Sequence, residues 1–348
     1  MRVLVTGHHG FIGSVTAPAL EDAGHDVVGA DVRFYEGCDF GNGAREPEDA
    51  GFDVRDVVPE QLAGFDAVVH LAALSNDPVG ELDAGLTEEI NFEGTMRLAR
   101  AAREAKVGRF VLASSCSMYG ASGNGVPVGE EAALDPLTAY ARSKVMSERG
   151  LLELATDDFS PTAMRNATAY GASPRLRLDV VLNNLAAWAY TTGRVRILSD
   201  GTPWRPLVHV RDIAAATTAI LAAPREVVHA QAFNIGSDAE NYRVSDIAEV
   251  VAEEAGGCEV EYAGTGDPDP RSYRVDFGKF RKAFPDFEFG WSARSGAREL
   301  IDAFSATGFD TSSFEGDRYV RLRRIRTLLD QGALDSRLRW TRAPAAGS

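Results

Sequence analysis

Arg2-Val3-Leu4-Val5-Thr6-Gly7-His8-His9-Gly10-Phe11-Ile12-Gly13 opens the chain. The first residues are short, apolar and rich in β-branching, as a buried parallel strand should be. Three glycines follow, and then a helical stretch over 12–23. Strand, glycine turn and helix in that order are what a dinucleotide-binding crevice requires. Glycines let the backbone turn tightly and approach a pyrophosphate, which sits at the N-terminus of the following helix. The spacing is G-x-x-G-x-x-G rather than G-x-G-x-x-G, and alone it also fits an ordinary strand–helix loop. Asp31 strengthens the first reading. It ends the second strand about twenty residues after the turn. A carboxylate there binds ribose hydroxyls and repels a 2′-phosphate, which favours NAD over NADP; the plainer alternative is a surface acid.

Outward from this turn, strands are expected at Arg2–Thr6, Asp26–Ala30, 67–71, 109–113 and 162–165. Helices are expected at 12–23, 87–105 and 138–156. The alternation predicts an α/β fold: a Rossmann-type doubly wound parallel sheet with a smaller α/β substrate-binding lobe. Beyond Gly171 the pattern loosens. Helices are expected at 179–192 and 244–255, the latter with Ser245 as N-cap. Strands are expected at 194–198 and 232–235, and a loop at 264–270. The division is residues 1–170 for cofactor binding, with a returning segment near 205–235. Residues 171–204 and 236–304 form the second lobe, and 305–348 an arginine-rich extension with a frayed end at 343–348. Arg318, Arg321, Arg323, Arg324 and Arg326 concentrate on one expected helix, read as solvated or facing a partner.

The chain has 348 residues, 45% of them apolar, and a net charge of −15. That charge argues against nucleic acid and anionic membranes as partners. No apolar run approaches the ~18 residues of a membrane span. The first strand begins at once, so no signal peptide is expected. Three scattered cysteines, Cys38, Cys116 and Cys258, point to a reducing, cytoplasmic setting without disulfides. The six histidines show no metal-ligand spacing, and no metal is expected.

Tyr140 and Lys144 are separated by one helical turn, which places an ammonium beside a phenol. A tyrosine titrates near ~10, so serving as a base near pH 7 needs roughly 4 kcal/mol of help. Asp53-Val54-Arg55-Asp56 reads as an adenine-side loop, or as an unremarkable charged turn. His70-Leu71-Ala72-Ala73 ends a strand with small residues that admit a cofactor; His70 itself reads as a satisfied, partly buried histidine. His8 and His9 either approach the pyrophosphate or face solvent.

Together these residues resemble the extended short-chain dehydrogenase/reductase family, in its nucleotide-sugar epimerase and dehydratase branch. The resemblance runs to about residue 304. It includes Asn91-Phe92-Glu93-Gly94-Thr95, Ser114-Ser115-Cys116-Ser117-Met118-Tyr119-Gly120, Tyr140-x-x-x-Lys144 and Arg205-Pro206-Leu207-Val208-His209-Val210-Arg211-Asp212. It implies that Tyr140 is the acid/base, that Lys144 lowers its pKa and binds the nicotinamide ribose, and that Ser115 hydrogen-bonds the reacting oxygen. It implies an NAD site built from Gly7, Gly10, Phe11, Ile12, Gly13, Asp31, Asp53, Val54, Leu71, Ala72, Ala73 and Asn91. On the substrate side it implies Ser115, Thr168, Asn183, Arg205 and Arg271. Guanidinium forks suit phosphate oxygens. Trp204 either borders the nucleotide or packs inside. A homodimer is expected through the helices near 87–105 and 138–156.

The resemblance implies that the reactions of this branch can begin alike, by oxidising C4 of the sugar. Dehydratases of this kind carry Asp-Glu in the two places after the serine matched by Ser115, and decarboxylases carry Glu in the second. This chain has Cys116 and Ser117. The keto-sugar 3,5-epimerases place a cysteine second rather than first, so Cys116 is read as a buried structural thiol. The expected activity is therefore NAD-dependent 4-epimerisation through a transient 4-keto sugar. Dehydratase-like or other keto-sugar chemistry is the alternative, and a catalytically silent NAD-binding regulator is a second. One departure is Thr168, where relatives carry an asparagine three residues after the arginine matched by Arg165; here Asn166 is displaced to a neighbouring position.

Overall fold

The computed structural model describes residues 1–75, 83–121, 125–262 and 271–342. The expected loop at 264–270 and the frayed end at 343–348 lie outside the described residues. Seven parallel strands form the central sheet. They are β1 (Arg2–Thr6), β2 (Asp26–Ala30), β3 (Glu48–Asp49), β4 (Ala67–His70), β5 (Arg109–Ser115), β6 (Ser160–Asn166) and, late in the chain, Gln231–Ile235. The spatial order is Gln231–Ile235, β6, β5, β4, β1, β2, β3. Strand order reverses between β1 and β4, whose registers pair Val3 with Ala67 and Thr6 with His70. A crevice must open at the carboxyl ends of strands at such a reversal, and both the Gly7 turn and Leu71-Ala72-Ala73 emerge there.

Both faces of the sheet are buried, which is why its strands read as nearly unbroken apolar runs. Val3, Val5, Val69 and Val111 face one helical layer with Leu20, Ile213 and Ile220. Leu4, Val28, Val68 and Leu112 face the other, with Leu98, Leu151 and Phe159. A third core gathers Leu178, Leu182, Leu185, Ile247, Val251, Leu300 and Phe304 beneath two small sheets. In one of these, Trp204–His209 lies between Thr168–Tyr170 and Asn241–Arg243; in the other, Arg194–Ile197 pairs with Glu259–Tyr262. The segment near 205–235 thus adds Gln231–Ile235 as a strand of the main sheet and packs the helix Val210–Ala222 on its face, while Trp204–His209 stays in the second layer.

Two local expectations are corrected. The stretch expected as one helix over 87–105 is helical at Ala84–Glu88, widens to a π-turn over Glu89–Glu93 and resumes at Gly94–Glu104. The Asn91 carbonyl accepts hydrogen bonds from the hydroxyls of Thr95 and Ser147, the latter on another helix, at the place where the ladder widens. At Val244–Glu254, Ser245 lies inside the helix; Arg243 is the N-cap, and Asp246 reaches back to accept from its backbone N–H at 2.9 Å.

Candidate active site

Two adjoining clefts occupy the switch point. The first, about 900 Å³, runs along the glycine turn, Asp31 and Ala72. The second, about 1800 Å³, lies between the sheet and the second layer and contains Ser115, Tyr140 and Lys144. Arg177 and Ser75 line both.

The first cleft is a cradle that side chains would fill. A Cβ at Gly7, where φ is +76°, would stand 2.6 Å from the Ala72 nitrogen, and one at Gly13 would collide with the Gly7 carbonyl. Both carboxylate oxygens of Asp31 are held by backbone, accepting from Arg33 N–H at 2.7 Å and His9 N–H at 3.1 Å. Burial pushes this carboxyl up, and those two N–H groups draw it back. Arg33 is committed to Glu36, Glu46 and Asp49. With that guanidinium engaged and Asp31 facing the cleft, the site fits a dinucleotide with free ribose hydroxyls. Phe11, Ile12, Asp53, Val54, Leu71 and Ala73 also line it. Asp53 is also clamped by Arg55 and Arg339.

Asn91 does not line either cleft. Its amide braces the loop after β4, accepting from Leu74 N–H at 2.8 Å and donating to Ser143 Oγ at 3.1 Å. The expectation of direct cofactor contact is corrected to a brace between that loop and the catalytic helix. His8 and His9 do not face solvent; both are buried. The His8 ring lies on β2, where a Cβ at Gly29 would strike it. His9 packs with Arg175, Glu46 and Glu36, and burial together with Arg175 holds it down at about 3. His70 is fully rather than partly buried, bridging Thr6 Oγ1 and Thr95 Oγ1, and is neutral, with burial lowering it to about 3.

In the second cleft, Ala139–Glu153 carries Tyr140 and Lys144, opened by Thr138 accepting from Ala141 N–H at 3.1 Å. Lys144 Nζ donates to the Ala113 carbonyl at 2.7 Å and stands 5.8 Å from the Tyr140 ring centre. Burial lowers Lys144 to about 8, so it is charged at neutral pH. Burial pushes the Tyr140 phenol up, and the Arg177 charge and the nearby Ser115 hydroxyl pull it back. Arg177 was missed from sequence. Its signal was Ser173-Pro174-Arg175-Leu176-Arg177-Leu178-Asp179, three charges in an apolar run with no surface to place them on.

Ser117 faces the cleft, its Oγ 2.9 Å from Ser115 Oγ. Cys116 points away into the core, its thiol 3.1 Å from the Arg165 carbonyl and pushed well up by burial. Thr168, Arg205 and Arg271 line the cleft, with Arg205 donating to the Arg271 carbonyl. Asn183 does not. It is completely buried, joining Gly171 to Arg177 through their backbones, while its neighbour Asn184 lines the cleft. One step along a helix turns a side chain by about 100°, enough to exchange core for cleft. Trp204 borders neither cleft, and Arg243 and Arg274 lie over its ring.

Ser115, Tyr140 and Lys144 thus converge beside a dinucleotide cradle, and the family model for NAD dependent epimerase/dehydratase matches residues 3–236. The chain belongs to that family. It is an NAD-dependent enzyme of the epimerase/dehydratase type. The UDP-glucose 4-epimerase of Corynebacterium glutamicum is 32% identical over 293 residues, covering 77% of this chain and 85% of that one. Among solved structures, MoeE5 in complex with UDP-glucuronic acid and NAD superposes with a TM-score of 0.76 at 28% identity, covering 88% of this chain and 99% of that one. The Thermus thermophilus UDP-glucose 4-epimerase complex with NAD gives 0.72 at 26% identity, with the same two coverages. Among the described residues, no helix is long and apolar enough to cross a membrane, and no group of side chains has the makings of a metal site.

Proposed function

We propose that this epimerase/dehydratase-family enzyme is a nucleotide-sugar 4-epimerase. The observation that carries the reading is the side chain presented after Ser115: Ser117 faces the cleft and Cys116 faces the core. Elimination of water across C5 and C6 needs a base for the C5 proton and an acid for the departing oxygen. Among the described residues, the only carboxylate lining this cleft is Asp179, held by Arg177 at 2.8 Å. What remains is machinery for oxidising and re-reducing one carbinol.

NAD held along the glycine turn, Asp31 and Ala72 would supply a reversible hydride acceptor. Tyr140 takes the C4 hydroxyl proton and later gives it back. Ser115 holds the reacting oxygen by hydrogen bond. Lys144, fixed by Ala113, keeps a positive charge next to the phenol, and Arg177 adds a second. Inversion requires the 4-keto sugar to present its other face before reduction, and the open cleft between the sheet and the second layer is where that rotation takes place. Arg205 and Arg271 are placed to hold a diphosphate while the sugar turns. The reading includes a homodimer paired through Gly94–Glu104 and Ala139–Glu153 in a cytoplasmic setting; light scattering of the purified protein measures the dimer directly.

Incubation with UDP-, dTDP-, GDP-, CDP- and ADP-sugars in deuterated water tests the reaction. Inversion at C4 with no solvent deuterium is expected. Deuterium at C5 with loss of water would replace the reading by a dehydratase. Tyr140→Phe serves as control: turnover falls by about 10²–10⁴-fold or more while NAD stays bound. A variant that turns over normally would remove Tyr140 from the mechanism.

A further inference from the structure

Residues 321–342 pack against the rest of the chain. Arg321–Asp330 forms a helix, and Ile325, Leu328, Leu334 and Leu338 bury themselves against Phe34, Leu74, Leu86 and Ile90. Trp340 donates its indole N–H to the Val32 carbonyl at 2.5 Å, and Arg324 donates to Phe34 and Glu36 carbonyls. In return, Arg55 donates to the carbonyls of Arg337 and Leu338 at 2.6 and 3.1 Å. Val32, Phe34, Arg55, Leu74 and Ile90 all line the cofactor cleft. The arm therefore closes over its outer wall.

One arm residue enters the cleft itself. Arg321 is 2% exposed and lines the cofactor cleft but not the substrate cleft. Its guanidinium lies 4.0 Å from the Tyr35 ring centre, and its Nη2 donates to the Arg175 carbonyl at 2.7 Å. That contact fixes its position beside the glycine turn, because the Arg175 side chain bonds His9 and Ser173 Oγ donates to the Phe11 carbonyl. Its Nη1 is buried with no hydrogen-bond partner, and no carboxylate among the described residues forms an ion pair with it. The Arg177 charge is felt at Arg321, as more weakly is that of Asp179, which pairs with the Nε edge of Arg177 at 2.8 Å and leaves the Arg177 Nη2 likewise buried without a partner. A buried guanidinium nitrogen without an acceptor is costly, and two in one wall mark a place for an anion. Paired phosphate oxygens match such forks.

We propose that Arg321 of the C-terminal arm joins Arg177 to form a two-guanidinium subsite for the diphosphate of the bound dinucleotide. The glycine turn supplies backbone N–H donors from one side and the arm supplies charge from the other, so that seating the arm and holding the cofactor become one event. The substrate's diphosphate is the rival source. It is disfavoured because Arg321 borders only the cofactor cleft.

Titration calorimetry on the full chain, freed of nucleotide, tests this with Arg321→Met, Arg321→Lys and, as control, Arg326→Met. Arg326 lies exposed on the same helix, so the control removes the same charge. NAD and ADP-ribose are expected to bind Arg321→Met about 10–100-fold more weakly. Arg321→Lys should lose less, and Arg326→Met nothing. Adenosine, measured by competition, and UDP should bind all three as they bind the parent. NAD binding within twofold of the parent in Arg321→Met would overturn the proposal. So would an equal loss for adenosine, which would mean that the arm had merely shifted. Weakened UDP with intact NAD would assign the subsite to the substrate. Where Arg321→Met does not fold, Arg321→Lys decides: weaker NAD with unchanged adenosine supports the subsite, and unchanged NAD rejects it.

Discussion

Burial sets the ionisation of several groups around the catalytic centre, and His70 shows the consequence most simply. Its two nitrogens are taken by Thr6 and Thr95, and burial holds it down at about 3. An unfolded histidine titrates near ~6.5. Between these values the unfolded chain binds a proton that the folded one refuses, so stability rises with pH across the window and is lost as pH falls through it. His70→Gln removes that proton. Its urea-unfolding free energy should fall less steeply than the parent's between pH 6.5 and 4, by about 1.4 kcal/mol per pH unit. Identical slopes would mean that His70 is charged in the folded protein. At the same scale, Asn183 and Asn184 show what adjacency in sequence conceals: both amides sit on one helix, yet one is consumed by backbone and the other faces the cleft.

The catalytic helix Ala139–Glu153 is positioned by a buried ion pair as well as by packing. One turn beyond Lys144, Glu148 accepts from Arg165 on β6 and from Ser114 Oγ at 2.9 Å. Tyr140, Lys144 and Glu148 follow the i, i+4, i+8 spacing of one face, so the contact that anchors the helix also sets the reach of its reactive side chains. Removing one partner of such a pair strands the other charge, at a cost of about 3–5 kcal/mol. Glu148→Ala should lose that much in urea unfolding and lower kcat as well. A loss below about 1 kcal/mol would show the pair to be loosely solvated. The spacing of Tyr140 and Lys144 could be read directly from sequence, because helix periodicity is local. The π-turn at Asn91 could not, because one of the hydroxyls that bonds its carbonyl comes from Ser147, more than fifty residues away.

At the scale of the whole molecule, the arm is the feature that sequence placed only in part. Five arginines in a short stretch read as a solvated or partner-facing helix; Arg318, Arg323 and Arg326 are exposed, yet Arg321 is a core residue and the stretch packs on the wall of the cofactor cleft. Deleting residues 321–348 exposes Phe34, Leu74, Leu86 and Ile90. The truncated protein should lose NAD on gel filtration where the full chain retains it, and its Tm should fall by about 2–4 °C for each kcal/mol of packing removed. Retention of NAD at the parent's Tm would make the arm an idle appendage.

Local chemistry made the cofactor turn, the Asp31 carboxylate, the Tyr140–Lys144 pair and the parallel alternation legible in the sequence alone. Glycine spacing, strand-end acids and helical periodicity express constraints that act within a few residues. Tertiary structure decided which of two neighbours faces the cleft, which buried nitrogens are left unpaired and where the arm lies. Those outcomes depend on contacts between residues such as Arg175 and Arg321, 146 positions apart, and no pattern local to either residue carries them.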